Sequence, residues 1–390
     1  MRAGLTVLCL AYVLSQFFRA FLAVLSGVLA EDIGVTPDDL ASASGFWFLS
    51  FAAMQLPVGW ALDRIGPRRT AWVLLLLGGA GGAAMFALAA SALQIKIAML
   101  LIGIGCSPVL MASYYIFARQ FPAAQFATLA ALMLGVGSVG NLVASYPMAW
   151  AAETLGWRNA LWGLSAVSGL VAFGIALTVR DPEPAQGETR GSLLDLLKMP
   201  VLWAILPLAV FNYVPAGAVR GLWIGPYLQD VFGLSTSQVG HATLIMGVAM
   251  ICGTFCYGPL DRLFKTQKWV VFTGNMLCCV AIFTLVLNVG SNAWLAVALC
   301  AALGFFGGSF PVVMAHGRGF FPPHLAGRGV TLLNLCSIGG VGVMQFISGP
   351  LHNAASERGV EVGYTAVFGF FGICLLLGTL IYLFSRDSTT

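Results

Sequence analysis

The sequence predicts an all-α integral membrane protein with twelve transmembrane helices in two pseudo-symmetric six-helix bundles. The first observation is composition: the 390 residues are 59% hydrophobic and 9% charged, whereas soluble domains carry about 25% charged residues. The second is that apolar runs of about 20 residues, long enough to cross a bilayer, recur along the chain. The third is that motifs of the first half return in the second. This composition excludes a soluble enzyme and a nucleic-acid-binding domain, because no basic stripe is available for a phosphate backbone.

Hydropathy places the spans in order along the chain, with short loops between them. The longest connection, residues 181–198, is rich in proline, glycine and charge. We therefore expect a cytoplasmic central loop there, between an N-terminal bundle at 1–180 and a C-terminal bundle at 199–390. The expected spans 1 to 12 cover residues 5–30, 41–62, 70–90, 95–117, 126–150, 158–180, 200–223, 239–260, 269–290, 293–316, 327–351 and 363–385.

Positive charges fix the expected orientation. With both termini in the cytoplasm, the outer loops hold only Lys96, Arg158 and Arg358, and fourteen other lysines and arginines lie at cytoplasmic ends. This asymmetry follows the positive-inside rule and predicts a multi-pass protein of the cell inner (plasma) membrane. The two remaining arginines, Arg19 and Arg220, fall within spans.

The two halves repeat with a period near 200 residues. Parallel six-span repeats predict a substrate cavity between the halves, near the midplane, and alternating access around it. The matched positions include Asp32 with Asp230, Asp63-Arg64 with Asp261-Arg262, residues 108–112 with 311–315, and Gly156-Trp157 with Gly363-Tyr364.

The loop after span 2, residues 59–69, reads G-W-A-L-D-R-I-G-P-R-R. It resembles the G-x3-D-R-x-G-R-R loop of the major facilitator superfamily, and the resemblance extends over the whole chain, although Tyr257 and Phe264 replace glycines in the second copy. The resemblance implies a secondary transporter without a cofactor, usually monomeric, whose spans 1, 4, 7 and 10 line the cavity. It also implies that Asp63 bonds across to the start of span 11 as a latch. The residues of this gating loop are Gly59, Asp63, Arg64 and Arg68.

The charges within the spans are positive. All fifteen acidic residues fall in loops or at span ends, which disfavours an organic-cation pump and a carboxylate-gated proton symporter, because both want a carboxylate inside the membrane. A guanidinium such as that of Arg19 or Arg220 suits an anionic group or a carbonyl edge, although either arginine could instead be structural. Arg19, fifteen residues before Gly34, also resembles the substrate arginine of anion transporters in the superfamily.

Polar residues in the spans complete the candidate site. A buried amide either joins helices or contacts a ligand, and aromatic residues such as Trp47 and Tyr213 could stack on a flat ring. The set predicts uptake of a small organic solute, either a vitamin-like heterocycle such as riboflavin or an organic anion. The candidate substrate-binding residues are Gln16, Arg19, Tyr115, Asn141, Asn212, Arg220, Asn334 and Gln345.

Two alternatives remain open. Span 8 holds His241, Met246 and Met250, and soft ligands select monovalent copper, so a copper importer is the first alternative; ordinary packing of methionine is the competing interpretation. The second is a non-transporting receptor or a membrane enzyme. The spans hold no nucleophile beside a base, so no enzymatic activity is predicted. The chain has no nucleotide-binding P-loop, so we expect that ATP does not drive transport directly. The histidines His316 and His352 fall at span ends.

Overall fold

The computed structural model describes residues 2–182, 196, 198–322 and 326–387. Every regular element within these residues is a helix. Ten of the described helical segments are long and apolar enough to cross a membrane, and two bent helix pairs raise the number to twelve. The twelve spans expected from hydropathy are thereby confirmed. Most of the expected central loop, 181–198, lies outside the described residues.

Spans 1 to 6 are built from one to three helical segments each. Proline stands in the first turn of spans 2 and 3, where its missing N–H costs nothing and its fixed φ suits a helix. The bounds are Arg2–Phe18 with Leu22–Ile33 for span 1, Pro37–Ala53 with Gln55–Arg64 for span 2, Pro67–Leu74 with Leu75–Ala80 and Gly81–Ala87 for span 3, Ala92–Cys106 with Pro108–Gln120 for span 4, Ala123–Val143 with Tyr146–Leu155 for span 5, and Trp157–Thr178 for span 6.

Spans 7 to 12 follow the same order. Span 7 is the most interrupted, with a two-residue break after Phe211 and a π-helical stretch further on. The bounds are Pro200–Phe211, Val214–Ala218, Val219–Trp223 and Ile224–Phe232 for span 7, Thr236–Tyr257 with Leu260–Phe264 for span 8, Lys268–Leu287 for span 9, Ala293–Gly307 with Phe310–Arg318 for span 10, Ala326–Ser356 for span 11, and Val360–Tyr382 for span 12.

The chain divides into two compact units. The N-terminal unit holds spans 1 to 6 together with the first turn of span 8, Thr236–Gly240, and the C-terminal unit holds the remainder of spans 7 to 12. In each unit, the loops that follow odd-numbered spans lie at one end, here called the far end. The loops that follow even-numbered spans lie at the other, here called the terminus end.

Two spans expected to be continuous are bent. Span 1 bends by 52° between Phe18 and Leu22, and span 5 bends by 40° between Val143 and Tyr146. Within the N-terminal unit, glycines on span 5 let it approach span 1 closely: a Cβ on Gly140 would lie 2.9 Å from the backbone nitrogen of Phe17. The close approach brings polar side chains of spans 1 and 5 together at the bend.

An Arg-Asp pair follows span 6 at the terminus end of the N-terminal unit. The carboxylate of Asp181 accepts a 2.7 Å hydrogen bond from the backbone nitrogen of Arg68, in the first turn of span 3. The carbonyl of Arg180 accepts a 3.3 Å bond from the Gln120 side chain at the end of span 4. Gly66 makes room for this contact, because it has a φ of +100° and its Cβ would lie 2.8 Å from the Asp181 carboxyl carbon.

The same dipeptide follows span 12 in the C-terminal unit. The carboxylate of Asp387 accepts hydrogen bonds from Thr266 and from the backbone nitrogen of Gln267, the latter at 3.3 Å, at the start of span 9. The carbonyl of Arg386 lies 2.9 Å from Nε2 of His316 at the end of span 10. In each unit, the Arg-Asp pair after the sixth span therefore contacts the third and fourth spans at the terminus end. The two units share this arrangement, which agrees with the repeat in the sequence.

Candidate functional site

Arg19 lies in the break of span 1. It is the first residue after the helix that ends at Phe18, and the chain turns through Arg19 to Phe21 before the next helix begins. A cation beside a helix C-terminus is favourable, by about 0.3–1 kcal/mol at exposed sites and more when partly buried. The break therefore stabilises an arginine that would otherwise be costly at the centre of a span.

Aromatic rings of span 2 cover the guanidinium of Arg19. Its Cζ atom lies 5.4 Å from the ring centroid of Trp47 and 5.7 Å from that of Phe51. These two rings stack on each other at 5.2 Å with an interplanar angle of 18°. Such cation–π contacts hold an arginine without neutralising its charge. The helical spacing of four between Trp47 and Phe51 was the signal in the sequence that could have identified this pair.

The position of Trp47 is fixed by the contact between spans 2 and 4. Ser50 donates a 3.0 Å hydrogen bond to the carbonyl of Leu100. Gly103 of span 4 lies against the same turn, since a Cβ there would be 2.5 Å from the carbonyl oxygen of Trp47. Side chains larger than glycine would separate these spans and displace the ring from Arg19.

Two N–H donors in this cluster are buried and have no hydrogen-bond partner. They are Nε of Arg19 and Nε1 of Trp47. Buried polar groups in native proteins nearly always have a partner, and an unsatisfied one costs about 1–3 kcal/mol. Two ion pairs occur in the described part of the chain, Lys96–Asp39 and Arg158–Asp32, so Arg19 has no carboxylate partner there. The cluster therefore offers donors and a positive charge to an acceptor that a bound ligand could supply.

Gln16 and Asn141 meet beside this cluster. The Gln16 amide donates a 2.6 Å hydrogen bond to the hydroxyl of Tyr12, one turn earlier in span 1. Asn141 of span 5 reaches the other end of the same amide, with its Nδ2 atom 3.5 Å from Oε1 of Gln16. The structure thus brings three of the residues predicted for the N-terminal bundle, Gln16, Arg19 and Asn141, to one region of spans 1 and 5.

Tyr115 lies apart from that region. It is in the last two turns of span 4, and Cζ of Arg119 lies 4.1 Å from its ring centroid. This cation–π contact places the Tyr115 ring towards the terminus end of the N-terminal unit.

Asn212 occupies the break of span 7 and bonds to two other spans. Its amide nitrogen donates to Oδ1 of Asn275 in span 9 at 2.7 Å and to the hydroxyl of Ser309 in the break of span 10 at 3.1 Å. Asn275 in turn donates to the carbonyl of Val271 at 2.8 Å. Asn212 is only 1% exposed, so this geometry is that of a residue joining helices.

Gln345 and Arg220 lie on spans 11 and 7 of the C-terminal unit. Oε1 of Gln345 accepts a 2.9 Å bond from the indole of Trp223, and its amide nitrogen donates to the carbonyl of Ala218 at 3.2 Å. Arg220 is buried in the π-helical stretch Val219–Trp223, a form often found at functional sites. Asn334, also on span 11, is half-buried and makes no hydrogen bond with a described residue.

The predicted gating-loop residues lie at the end of span 2 and the start of span 3. Gly59 faces Met111 of span 4, since its Cβ would be 3.9 Å from the methionine methyl carbon. Asp63 and Arg64 end span 2 and are exposed, and Arg68 begins span 3 as the partner of Asp181. The latch from Asp63 to span 11 stays a prediction.

The methionines of span 8 pack against span 10. The Cγ atoms of Met250 and Met246 lie 2.9 Å and 3.2 Å from where a Cβ on Gly304 would stand. Met246 is fully buried, whereas His241 is exposed at the start of the helix. Packing accounts for both thioethers, and the copper site stays a prediction.

Comparisons with known proteins agree with this architecture. The family model of the Major Facilitator Superfamily matches residues 8–344 and again 221–390. The probable sulfoacetate transporter SauU of Cupriavidus necator is 23% identical over 70% of this chain and 66% of its own length. The probable galactarate/D-glucarate transporter GudP of Escherichia coli is 21% identical over 74% of this chain and 73% of its own. The sialic acid transporter NanX of Escherichia coli is 22% identical over 92% of this chain and 90% of its own.

Solved structures share the fold at low identity. The D-xylose-proton symporter superposes with a TM-score of 0.80 at 16% identity, covering 100% of this chain and 98% of that chain. A bacterial homologue of the human lysosomal transporter Spinster gives a TM-score of 0.78 at 16% identity, covering 98% and 96%. These similarities establish the fold alone, so the substrate has to be inferred from the residues of the site.

Proposed function

The chain belongs to the major facilitator superfamily, and we propose that it imports a small organic acid, a carboxylate or sulfonate, by alternating access. It works as a uniporter or symporter in the inner membrane, with both termini in the cytoplasm and as a monomer. Arg19 binds the anionic group. Gln16 and Asn141, which meet on spans 1 and 5 of the same unit, contact the polar remainder of the solute.

One observation carries this proposal: Arg19 keeps its positive charge inside a span without a carboxylate partner in the described chain, beside a second buried donor on Trp47. An arginine guanidinium is always charged and is suited to carboxylates and other oxyanions. An anion bound there would satisfy both donors and balance the charge, so the free energy of burying the arginine would be recovered as binding.

The same contacts favour an organic anion over a flat heterocycle such as riboflavin. A heterocycle would need an exposed aromatic face on which to stack. Trp47 and Phe51 stack on each other, and Arg19 covers them. The relatives named above point the same way, since sulfoacetate, D-glucarate and sialic acid are all acids.

A transport assay with matched arginine variants tests the proposal. Purified protein in proteoliposomes would be given labelled sulfoacetate, D-glucarate and sialic acid, with D-xylose and riboflavin as non-acidic probes. We expect at least one acid and neither non-acidic probe to be taken up. Arg19→Gln should abolish this uptake, and Arg19→Lys should retain part of it, because a lysine keeps the charge and loses the fork.

Arg318→Gln is the matched control. Arg318 is exposed at the end of span 10, so its loss removes one positive charge without touching the cluster, and uptake should stay near wild type. Uptake by Arg19→Gln within about twofold of wild type would contradict the proposal, since loss of a charged hydrogen bond is worth about 1.5–3 kcal/mol. Uptake of riboflavin alone would overturn the organic acid as substrate in favour of a heterocycle. Uptake of Cu(I) alone would overturn it in favour of copper import.

A further inference from the structure

His352 is a buried histidine outside the candidate binding residues. The sequence places it just beyond the end of span 11, but the helix continues to Ser356, and His352 is only 5% exposed. Histidine is the side chain that ordinarily gains or loses a proton between pH 5 and 8. A histidine held inside a span is therefore a candidate carrier of a proton.

Two aromatic rings enclose the imidazole. Its ring centroid lies 5.1 Å from that of Trp223 on span 7 and 4.6 Å from that of Tyr364 on span 12. Gly363 leaves the space that the ring needs, since a Cβ there would lie 3.0 Å from Nε2 of His352. The Ser356 hydroxyl is 3.4 Å from the same nitrogen. Aromatic rings within about 6 Å attract a cation, so this enclosure can hold the imidazole in its charged form.

The enclosure connects solvent to a candidate substrate residue. On one side, the hydroxyl of Tyr364 donates a hydrogen bond to the carboxylate of Asp230, which is exposed at the far end of the C-terminal unit. On the other side, the Trp223 indole donates to Oε1 of Gln345 at 2.9 Å and to Ser348 at 3.0 Å. His352 lies between these two sets of contacts.

The titratable and charged groups around His352 come from three spans. Span 12 contributes Tyr364 and Glu361; the Glu361 carboxylate lies against Gly290 instead, because a Cβ on that glycine would overlap it. Span 11 continues into Glu357 and Arg358, both exposed. Span 7 contributes Asp230, and the buried Arg220 one turn before Trp223. Asp230 is the carboxylate joined to the enclosure by a hydrogen bond.

We propose that His352 is the proton-binding group that couples uptake to the proton gradient, so that the transporter is a proton symporter. This deepens the proposed function and rests on it. The imidazole takes a proton from the solution at the far end, the end at which Tyr364 bonds to the exposed carboxylate of Asp230, and becomes an imidazolium. The added charge acts through Trp223 on its hydrogen bond to Gln345, a candidate binding residue of span 11, so that this contact responds to protonation. When the solute is released to the cytoplasm, the imidazolium gives its proton to water on that side, so that one proton crosses the membrane with each solute.

A fluorescence titration tests proton binding without any substrate. An imidazolium next to an indole quenches its emission, so we expect the purified wild-type protein to lose tryptophan emission as the pH falls from 8 to 5. The step should vanish in His352→Gln and in Trp223→Phe. It should persist in Trp294→Phe, which removes an exposed tryptophan, and in His316→Gln, which removes a buried histidine of span 10. A step that persists in His352→Gln, or no step in wild type, would overturn the proposal.

A transport comparison then tests coupling. With an inward proton gradient, the wild type should accumulate the acid identified above over its external concentration, and His352→Gln should not. In counterflow, where the solute exchanges without net proton movement, His352→Gln should run at a rate near wild type. Accumulation by His352→Gln equal to wild type would overturn the coupling role. If the wild type carries none of the acids, the proposed function fails by itself, and the fluorescence titration still decides whether His352 binds a proton.

Discussion

The indole Nε1 of Trp157 donates a 3.0 Å hydrogen bond to the carboxylate of Asp32, 125 residues earlier in the chain. It joins the start of span 6 to the end of span 1 at the far end of the N-terminal unit. The hydroxyl of Tyr364 donates to Asp230 at the matched positions of the C-terminal unit. The internal repeat of the sequence aligns these two pairs, and both copies keep the contact although indole is exchanged for phenol.

The N-terminal copy has an additional cation. Arg158 pairs with Asp32, donates to the carbonyl of Ala89 at 3.1 Å, and lies 4.2 Å from the ring centroid of Trp157. Three loops of one unit thus meet on one side chain. These contacts give Arg158 a structural role, which explains a cation in a loop that the expected orientation places outside the cytoplasm.

We predict that Asp32→Ala lowers the thermal midpoint of the detergent-purified protein more than Trp157→Phe does. The alanine removes the acceptor shared by Trp157 and Arg158, whereas phenylalanine removes one donor and keeps the ring. A thermal-shift measurement compares them. Equal midpoints for Asp32→Ala and wild type would show that these contacts do not stabilise the unit.

Substitutions at Trp47 separate its ring from its N–H group. Under the proposed function, Trp47→Phe keeps an aromatic ring beside Arg19 and removes the buried donor. We expect KM for the acid to rise about 2- to 10-fold with little change in kcat, since a hydrogen bond contributes about 0.5–1.5 kcal/mol. Trp47→Leu should lose more, because the cation–π contact is lost as well. Identical KM values for Trp47→Phe and wild type would show that the indole N–H group does not contact the substrate.

Gly103 tests the contact that positions Trp47. Its Cβ would meet the hydroxyl of Ser50 and would lie 2.5 Å from the carbonyl oxygen of Trp47, so Gly103→Ala forces spans 2 and 4 apart. We expect a loss of about 1–3 kcal/mol of stability, read as a lower thermal midpoint together with weaker uptake. Gly163→Ala is the control, since no atom lies within 4 Å of its added Cβ. A Gly103→Ala protein as stable and active as the control would contradict this close contact.

Asp63→Asn tests the latch implied by the loop motif. A neutral side chain loses the favourable interaction of a carboxylate with a helix N-terminus, about 0.3–1 kcal/mol when exposed. We expect slower turnover in vesicles with little change in substrate affinity, measured as kcat against KM. Asp261→Asn, in the degraded second copy of the loop, is the matched control and should have the smaller effect. Unchanged exchange rates in Asp63→Asn would argue against a latch.

Much of the architecture could be read from the sequence. A long run of apolar residues forms a helix in lipid, since only a helix satisfies every backbone polar group within its own segment. The two arginines within spans and the absence of acids there were equally visible. The loop motif indicates Asp63 as a gating residue, and that role stays a prediction. The breaks in spans 1 and 7 were not found, because a helix bends where packing and local hydrogen bonds allow it, and hydropathy averages over such positions.

The sequence by itself determined that there are twelve spans, that six spans are repeated, and that the charged residues within the spans are arginines. The number of spans follows from what a bilayer excludes. Only the tertiary structure decided which polar residues have partners: Asn212 bonds between helices, Arg19 keeps an unsatisfied donor beside Trp47, and His352 lies inside a helix that the hydropathy pattern ended one residue earlier. Whether a polar side chain finds a hydrogen-bond partner depends on distances between residues far apart in the chain. Those distances depend on how closely the helices approach, which glycines and aromatic side chains at the contacts decide.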